Sequence, residues 1–293
     1  MSSRISTKNS VAALAGFCIV SACNAADWSD AWVGYQYQSN QHEPGISTGI
    51  RKNIVELGYV GGDKYGTTLM VVDNYFSDNC YPAAPANAYS GGACQGSGSL
   101  ETYAVLRRSL SLSALSGNKM AFGPVRDVSM TGGLVMGTQN TRIATRPIKL
   151  TLGPTLSFDI KNGFWDLGLW LYKEWNHNGF YSSPLNSSIT YKGTWNVNTA
   201  WSIPLANNLA FTGYGDVIGS KGPELFGQTS GLKSKTEVHL FPKVLFDVAG
   251  VSGWKPGLLK VGLGVEIWRN KYGSPASEGT NSNTATLLVE SHF

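Results

Sequence analysis

Three observations predict an all-β fold for this chain: a transmembrane antiparallel β-barrel of the outer-membrane type, with about twelve strands. The first is alternation. In residues 149–160, Leu150, Leu152, Leu156, Phe158 and Ile160 share one parity, interrupted by Pro154, and Lys149, Thr151, Gly153, Thr155, Ser157 and Asp159 share the other. Successive strand side chains point to opposite faces, so this strand is apolar on one side and polar on the other. The pattern returns along the chain with no competing helical period, the dyad signature of a wall between lipid and water. The second is charge. Asp, Glu, Lys and Arg make up 14% of the residues, against roughly 25% in soluble domains. The third is the abundance of 35 Gly, 9 Trp and 13 Tyr. Glycine lets strands bend, and Trp and Tyr settle at headgroup level. A soluble two-sheet sandwich shares the alternation but does not explain the scarcity of charge or the terminal Phe293.

Residues 1–25 read as a secretory signal. Arg4 and Lys8 form its positive end, residues 11–22 its apolar run, and Cys23-Asn24-Ala25 a small-residue cleavage site. The run is too short to span a bilayer as a helix. Val20-Ser21-Ala22-Cys23 also looks like a bacterial lipobox, which would leave Cys23 lipidated; ordinary cleavage is expected, since a barrel needs no lipid anchor. The barrel is then residues 26–293, exported to the bacterial outer membrane. Loss of Arg4 and Lys8 lowers the net charge from +4 to +2, without the concentrated basic face of a nucleic-acid binder.

Strands are expected at 30–38, 50–61, 64–76, 99–111, 124–138, 146–160, 163–176, 187–202, 206–218, 233–248, 257–270 and 283–293. Gly61-Gly62-Asp63, Lys161-Asn162-Gly163 and residues 204–207 read as tight turns, whereas 77–98, 177–186, 219–232 and 271–282 are longer and polar. Alternating short and long connections match periplasmic turns and surface loops, and periplasmic termini imply an even strand number. The links at 112–123 and 249–256 are longer than that scheme expects. Cys80 and Cys94 enclose one of the polar loops. In an oxidising envelope they are expected to pair, and closing such a loop contributes about 3 kcal/mol in the chain-entropy model. Zinc is disfavoured, as there is no CxxC spacing or neighbouring histidine.

Parity assigns faces. Trp165, Leu167, Leu169 and Leu171 face out, with Asp166, Gly168, Glu174 and Asn176 in. Ile189, Tyr191, Trp195, Val197 and Trp201 face out, with Thr190, Lys192, Thr194, Asn196 and Asn198 in. Val238, Leu240, Val244 and Phe246 oppose Glu237, His239, Lys243 and Asp247; Leu259, Val261, Leu263, Val265 and Ile267 oppose Lys260, Gly262, Gly264 and Glu266. A charge on the lipid face near the midplane costs roughly 2–4 kcal/mol, which fixes each register. Pro154 and Pro242 each remove a ladder donor and call for a bulge or a strand end.

Several motifs resemble the nucleoside-specific channel-forming family, Tsx. They are Phe122-Gly123-Pro124-Val125-Arg126-Asp127, Gly153-Pro154-Thr155-Leu156-Ser157-Phe158-Asp159, Phe164-Trp165-Asp166 with Lys173-Glu174-Trp175-Asn176, Tyr214-Gly215-Asp216, and Pro242-Lys243 with Asp247. The resemblance spans nearly the whole mature chain. It implies a twelve-stranded monomeric channel passing nucleosides and deoxynucleosides across the outer membrane. The ending Val289-Glu290-Ser291-His292-Phe293 fits a barrel-insertion signal read by the assembly machinery, with Ser291 in place of the aromatic often found there.

A neutral, flat permeant with ribose hydroxyls needs aromatic faces and polar groups in the lumen. Tyr214, Trp170, Tyr172 and Trp268 are candidates for the first; Asp166, Glu174, Lys192, Asn196, Asp216, Glu237, His239, Lys243, Asp247, Lys260 and Glu266 for the second. The competing reading is a structural charge network, since small barrels fill their interiors to satisfy buried polar groups. Mixed acids and bases disfavour a basic phosphate-type pore. Lys243, Asp247, Asp216 and Glu266 are expected to converge on one patch beside Tyr214. A general small-solute porin and a closed structural barrel are the alternatives. So is an outer-membrane lipid-modifying enzyme built on His177, Ser182 and Ser183, but no orienting acid stands at a telling spacing. No catalytic, metal or cofactor motif is found.

Overall fold

The structure, a computed structural model, describes residues 26–82, 94–140, 145–177, 188–223 and 231–293. The leader at 1–25, Ser182 and Ser183 lie outside these residues.

The strands are β1 (Trp28–Gln41), β2 (Ile50–Asp63), β3 (Gly66–Ser77), β4 (Ser99–Ser111), β5 (Val125–Gln139), β6 (Ile148–Phe158), β7 (Phe164–His177), β8 (Ser188–Thr190), β9 (Thr194–Ala206), β10 (Leu209–Ile218), β11 (Glu237–Asp247), β12 (Leu259–Arg269) and β13 (Ser282–His292). Each pairs antiparallel with its neighbours in sequence, β8 and β9 excepted, and β1 closes on β13 through Trp32↔His292 to Gln38↔Thr286. Strands β8 and β9 both lie along β7, so they form one stave. Among the described residues the wall is a closed ring of twelve staves.

Tight turns follow β2, β6 and β9 at the end that also holds Trp28 and Phe293; the longer connections leave from the opposite end. The two overlong links of the terminal end each wind into one helical turn, α1 (Leu112–Ser116) and α2 (Ala249–Ser252). Ser111 starts α1 by accepting from the Ala114 N–H at 3.1 Å, and Gly117 ends it in the left-handed region at φ 70°.

Outward parity is apolar and exposed: Leu171, Leu263, Leu169 and Leu287 are 73%, 63%, 59% and 56% exposed. Burying such a band in lipid is what stabilises a wall of this kind. Exposed Trp175, Trp195 and Phe76 mark its long-loop rim, and Trp28, Trp165 and Trp254 its terminal rim, as interfacial girdles do.

Two details correct the parity reading. Pro154 and Pro242 sit inside β6 and β11 with neither bulge nor strand end: the ladder skips 153–154 against β7 and 241–242 against β12, then resumes in unchanged register. A lost donor interrupts one ladder locally without moving the strand. The stave β8–β9 does shift. Thr190 pairs with Trp175 but Thr194 with Tyr172, one extra residue over the break at 191–193. One residue of slip exchanges the faces, so Ile189 and Tyr191 are buried at 7% and 2% instead of facing lipid. Lys192 at the break is exposed instead of lumenal.

A close cross-strand approach fixes one glycine. Trp32 opposes Gly58 in register, and a Cβ on Gly58 would lie 1.9 Å from the indole. Only hydrogen fits there.

Candidate functional site

Inward parity around the ring encloses a cavity of about 460 Å³. Aromatic, charged and aliphatic side chains line it at different depths.

The long-loop mouth is drawn together by ion pairs. Glu43, from the connection after β1, lies 2.9 Å from Lys52 Nζ and 3.1 Å from Lys271 Nζ. All three are almost wholly buried, and Lys271 Nζ also donates to the His42 carbonyl at 2.9 Å. Burial alone would push the Glu43 carboxyl up, but the two ammonium groups outweigh it and hold it below the usual carboxylate range. Burial lowers Lys271 from its ordinary value against the pull of Glu43, and the like charge of Lys52 adds to the lowering. Beside this cluster Ile50, Tyr81, Ile46 and Cys80 pack together, and Cys80 is joined to Cys94 by a disulfide. A second anchor sits on β7. Glu174 takes Lys221 Nζ at 2.5 Å, Tyr172 Oη at 2.7 Å and Asn176 Nδ2 at 2.9 Å. Each buried carboxylate is thereby paired and hydrogen-bonded, the condition for keeping charge away from water.

Below the mouth, His239 stacks on Trp268 with centroids 3.8 Å apart and planes 6° apart. His239 Nε2 lies 3.0 Å from Glu266 Oε1, and Gln38 donates to the other oxygen at 3.0 Å. Tyr214 meets His239 and Phe241 edge-on.

Further down, Arg107 on β4 reaches β9 and β10 across the lumen. It donates to Asn198 Oδ1 at 3.4 Å and stands 3.9 Å from Asp216. Its guanidinium lies over the Trp170 ring at 5.1 Å. Asn196 and Asn198 each donate to Asp216 Oδ1 at 2.9 Å. On the β1–β2 wall Glu56 accepts from Trp32 at 2.5 Å and from Gln36 at 2.9 Å. Lys243 pairs with Glu290 at 3.3 Å, and His292 bridges Glu290 and Asp30.

Of the residues expected from sequence, Asn196, Tyr214, Asp216, Glu237, His239, Lys243 and Glu266 line the cavity. Glu174 is part of the mouth. Asp166 lies beyond the cavity lining, opposite Ser157 in register. Lys260 is half-buried between Asp247 and Glu290 in register. Asp247 serves the turn after β11, accepting from the Gly250 and Gly257 N–H groups at 3.3 and 2.6 Å. The expected single patch is therefore divided: Lys243 goes to Glu290, Glu266 to His239, Asp216 to Arg107 and the two asparagines. Glu56, Asp73 and Arg107 were not among the residues expected from sequence; for Asp73 the preceding Leu69-Met70-Val71-Val72 carries no alternation from which to read a face, and Lys149, read on the polar parity, lines the cavity as well. His177 closes β7, and its amide donates to Asn176 Oδ1.

No family model and no curated protein matches the chain, so the likeness to nucleoside channels rests on the quoted motifs alone. Among solved structures it is similar to an outer-membrane channel from Pseudomonas putida F1, at 10% identity over 92% of this chain and 98% of that one, with a TM-score of 0.52. It is also similar to the translocator domain of the autotransporter NalP from Neisseria meningitidis (10% identity, 98% of each chain, TM-score 0.45). A KdgM porin in complex with disordered oligogalacturonate aligns at 8% identity over 89% of this chain and 99% of that one, TM-score 0.43. The likeness to the Pseudomonas channel shows the barrel fold.

Proposed function

We propose that this chain is an outer-membrane channel through which small polar solutes diffuse, with nucleosides as the permeant class its motifs indicate. The observation that carries the reading is the cavity of about 460 Å³ inside a closed wall whose outer face is apolar. Its lining offers rings beside hydrogen-bonding groups: the His239–Trp268 stack next to Glu266, and Tyr214 near Asp216. Such a surface holds a solute weakly and lets it leave, as conduction requires. In this reading the short turns face the periplasm and the pinned mouth faces outward. A general small-solute porin draws support from the Arg107 crossing, which narrows the lumen without a pocket shaped for one base.

Single-channel recording decides between the two. Adenosine and thymidine at millimolar levels are expected to interrupt the ion current, and Asp216→Ala to weaken that block while the pore still conducts. Current untouched by either nucleoside but blocked by another solute removes the nucleoside assignment and leaves the channel.

A further inference from the structure

The inner wall across β2 to β5 is not polar throughout. Val71, Val105 and Val135 face one another in register on three consecutive staves, and Val60 opposes Leu69 beside them. All five line the cavity. In a water-filled barrel, polar residues are expected at these positions. The plate is an apolar surface on the path of the permeant.

One row nearer the mouth stand two facing acidic side chains, neither in an ion pair among the described residues, with Lys243 the cation whose charge reaches them. Asp73 follows Val71 on the same face of β3 and lies directly opposite Glu56 in register. Like charges placed opposite one another on a sheet repel. Both oxygens of Glu56 accept hydrogen bonds, from Trp32 and Gln36. Asp73 Oδ2 takes the Tyr75 hydroxyl at 3.4 Å, the carboxyl shares a hydrogen bond with Glu56, and Oδ1, closed to water on the lumen side as well, has no partner. Among the described residues no Lys or Arg forms an ion pair with either carboxylate; Lys243 is bonded to Glu290. The cavity lining as a whole has eight Asp and Glu against five Lys and Arg, although the full chain carries +4.

We infer that Asp73 and the valine plate form a subsite for small amphipathic cations, solutes with a protonated amine joined to an apolar body. The ammonium group would bring a positive charge to the Asp73–Glu56 pair on the cavity wall, and the body would cover Val71 and Val105. This rests on the channel reading above and adds a permeant class to it.

The test uses the full chain in planar bilayers and, in parallel, ligand-observed NMR in a neutral detergent. The probes are hexylammonium, ammonium and hexanoate. Hexylammonium is expected to block the current and to bind in micelles, while the other two do neither at the same concentration. Val71→Asn with Val105→Asn, and separately Asp73→Asn, should each weaken hexylammonium at least about tenfold. Equal block by hexanoate, or unchanged hexylammonium affinity in both variants, overturns the subsite. Specific binding without any current in the wild type supports the subsite and overturns the channel reading instead.

Discussion

Arg107 and Asp216 stand 3.9 Å apart although their strands lie on facing parts of the ring. The pair, with Asn198 at 3.4 Å from the guanidinium, is a strut across the lumen at its middle depth. Removing the side chain should widen the passage and leave the acids of the lining less opposed. Arg107→Ala is expected to raise single-channel conductance and to move the reversal potential in a salt gradient toward cation selectivity. Conductance and reversal potential equal to wild type would show that the strut does not lie on the ion path.

Glu43 holds two buried lysines, so its loss leaves two uncompensated charges. Breaking one side of a buried ion pair costs about 3–5 kcal/mol, here charged to docking of the mouth, not to the barrel. Glu43→Gln should speed amide exchange in the connections at 42–49 and 270–281 and spare β6 and β7.

Acid should act on the same cluster. The folded Glu43 carboxyl sits below the ordinary value of 4.5, so its stabilising contribution is complete above that value and fades as pH falls through the folded pKa. Protection of the two connections, exchange being taken relative to its intrinsic rate at each pH, should therefore hold from neutral pH down to about 5 and fall only in stronger acid. A loss of protection beginning near neutrality would point to a histidine instead.

Gly58→Ala places a methyl group inside the Trp32 ring, 1.9 Å from its nearest atom. The indole must swing away and release Glu56, an overpacking cost of about 1–3 kcal/mol. The barrel should unfold at lower urea, and Trp32→Ala in the same chain should recover part of the loss.

Removal of the Cys80–Cys94 bond should free the connection at 78–98 while the ring persists. The chain-entropy estimate for a loop of this size is about 3 kcal/mol, but the staves carry the lipid-facing area. Cys80→Ser with Cys94→Ser is expected to gain protease cuts in that connection and to keep the heat-modifiable mobility of a folded barrel.

The ring of staves was legible where one face meets lipid and the other water. Trp165, Leu167, Leu169 and Leu171 alternate with Asp166, Gly168, Trp170 and Tyr172, and β7 follows that parity from end to end. Legibility failed where both faces share a polarity, as at Leu69-Met70-Val71-Val72, which left Asp73 and the inner valines unassigned. It failed again at 191–193, because a one-residue bulge has no composition of its own and sets the side chains before it on the opposite parity from those after it. Asp247 was read as lumenal from parity, which is correct for its strand. Position along the strand decided its role: at the last residue of β11 two amides of the following turn were within reach. The mouth cluster was beyond a strand-by-strand reading, since Glu43 and Lys271 come from connections more than two hundred residues apart.

Every seam in the ring but one joins staves that are neighbours in sequence, so most of the wall can zip from local hairpins at small entropic cost. The exception, β1 against β13, must wait for both extremities of the chain. Side chains reach over or beside that joint: Gln38 to Thr286 at 3.2 Å, His292 to Asp30 at 2.9 Å, Lys271 to Glu43 at 3.1 Å. The last step of assembly is thus a single closure that sets three distant contacts together. An unclosed sheet would keep its hairpins but expose the edges of β1 and β13 at once, the species in which this protein is most open to strand exchange with another copy.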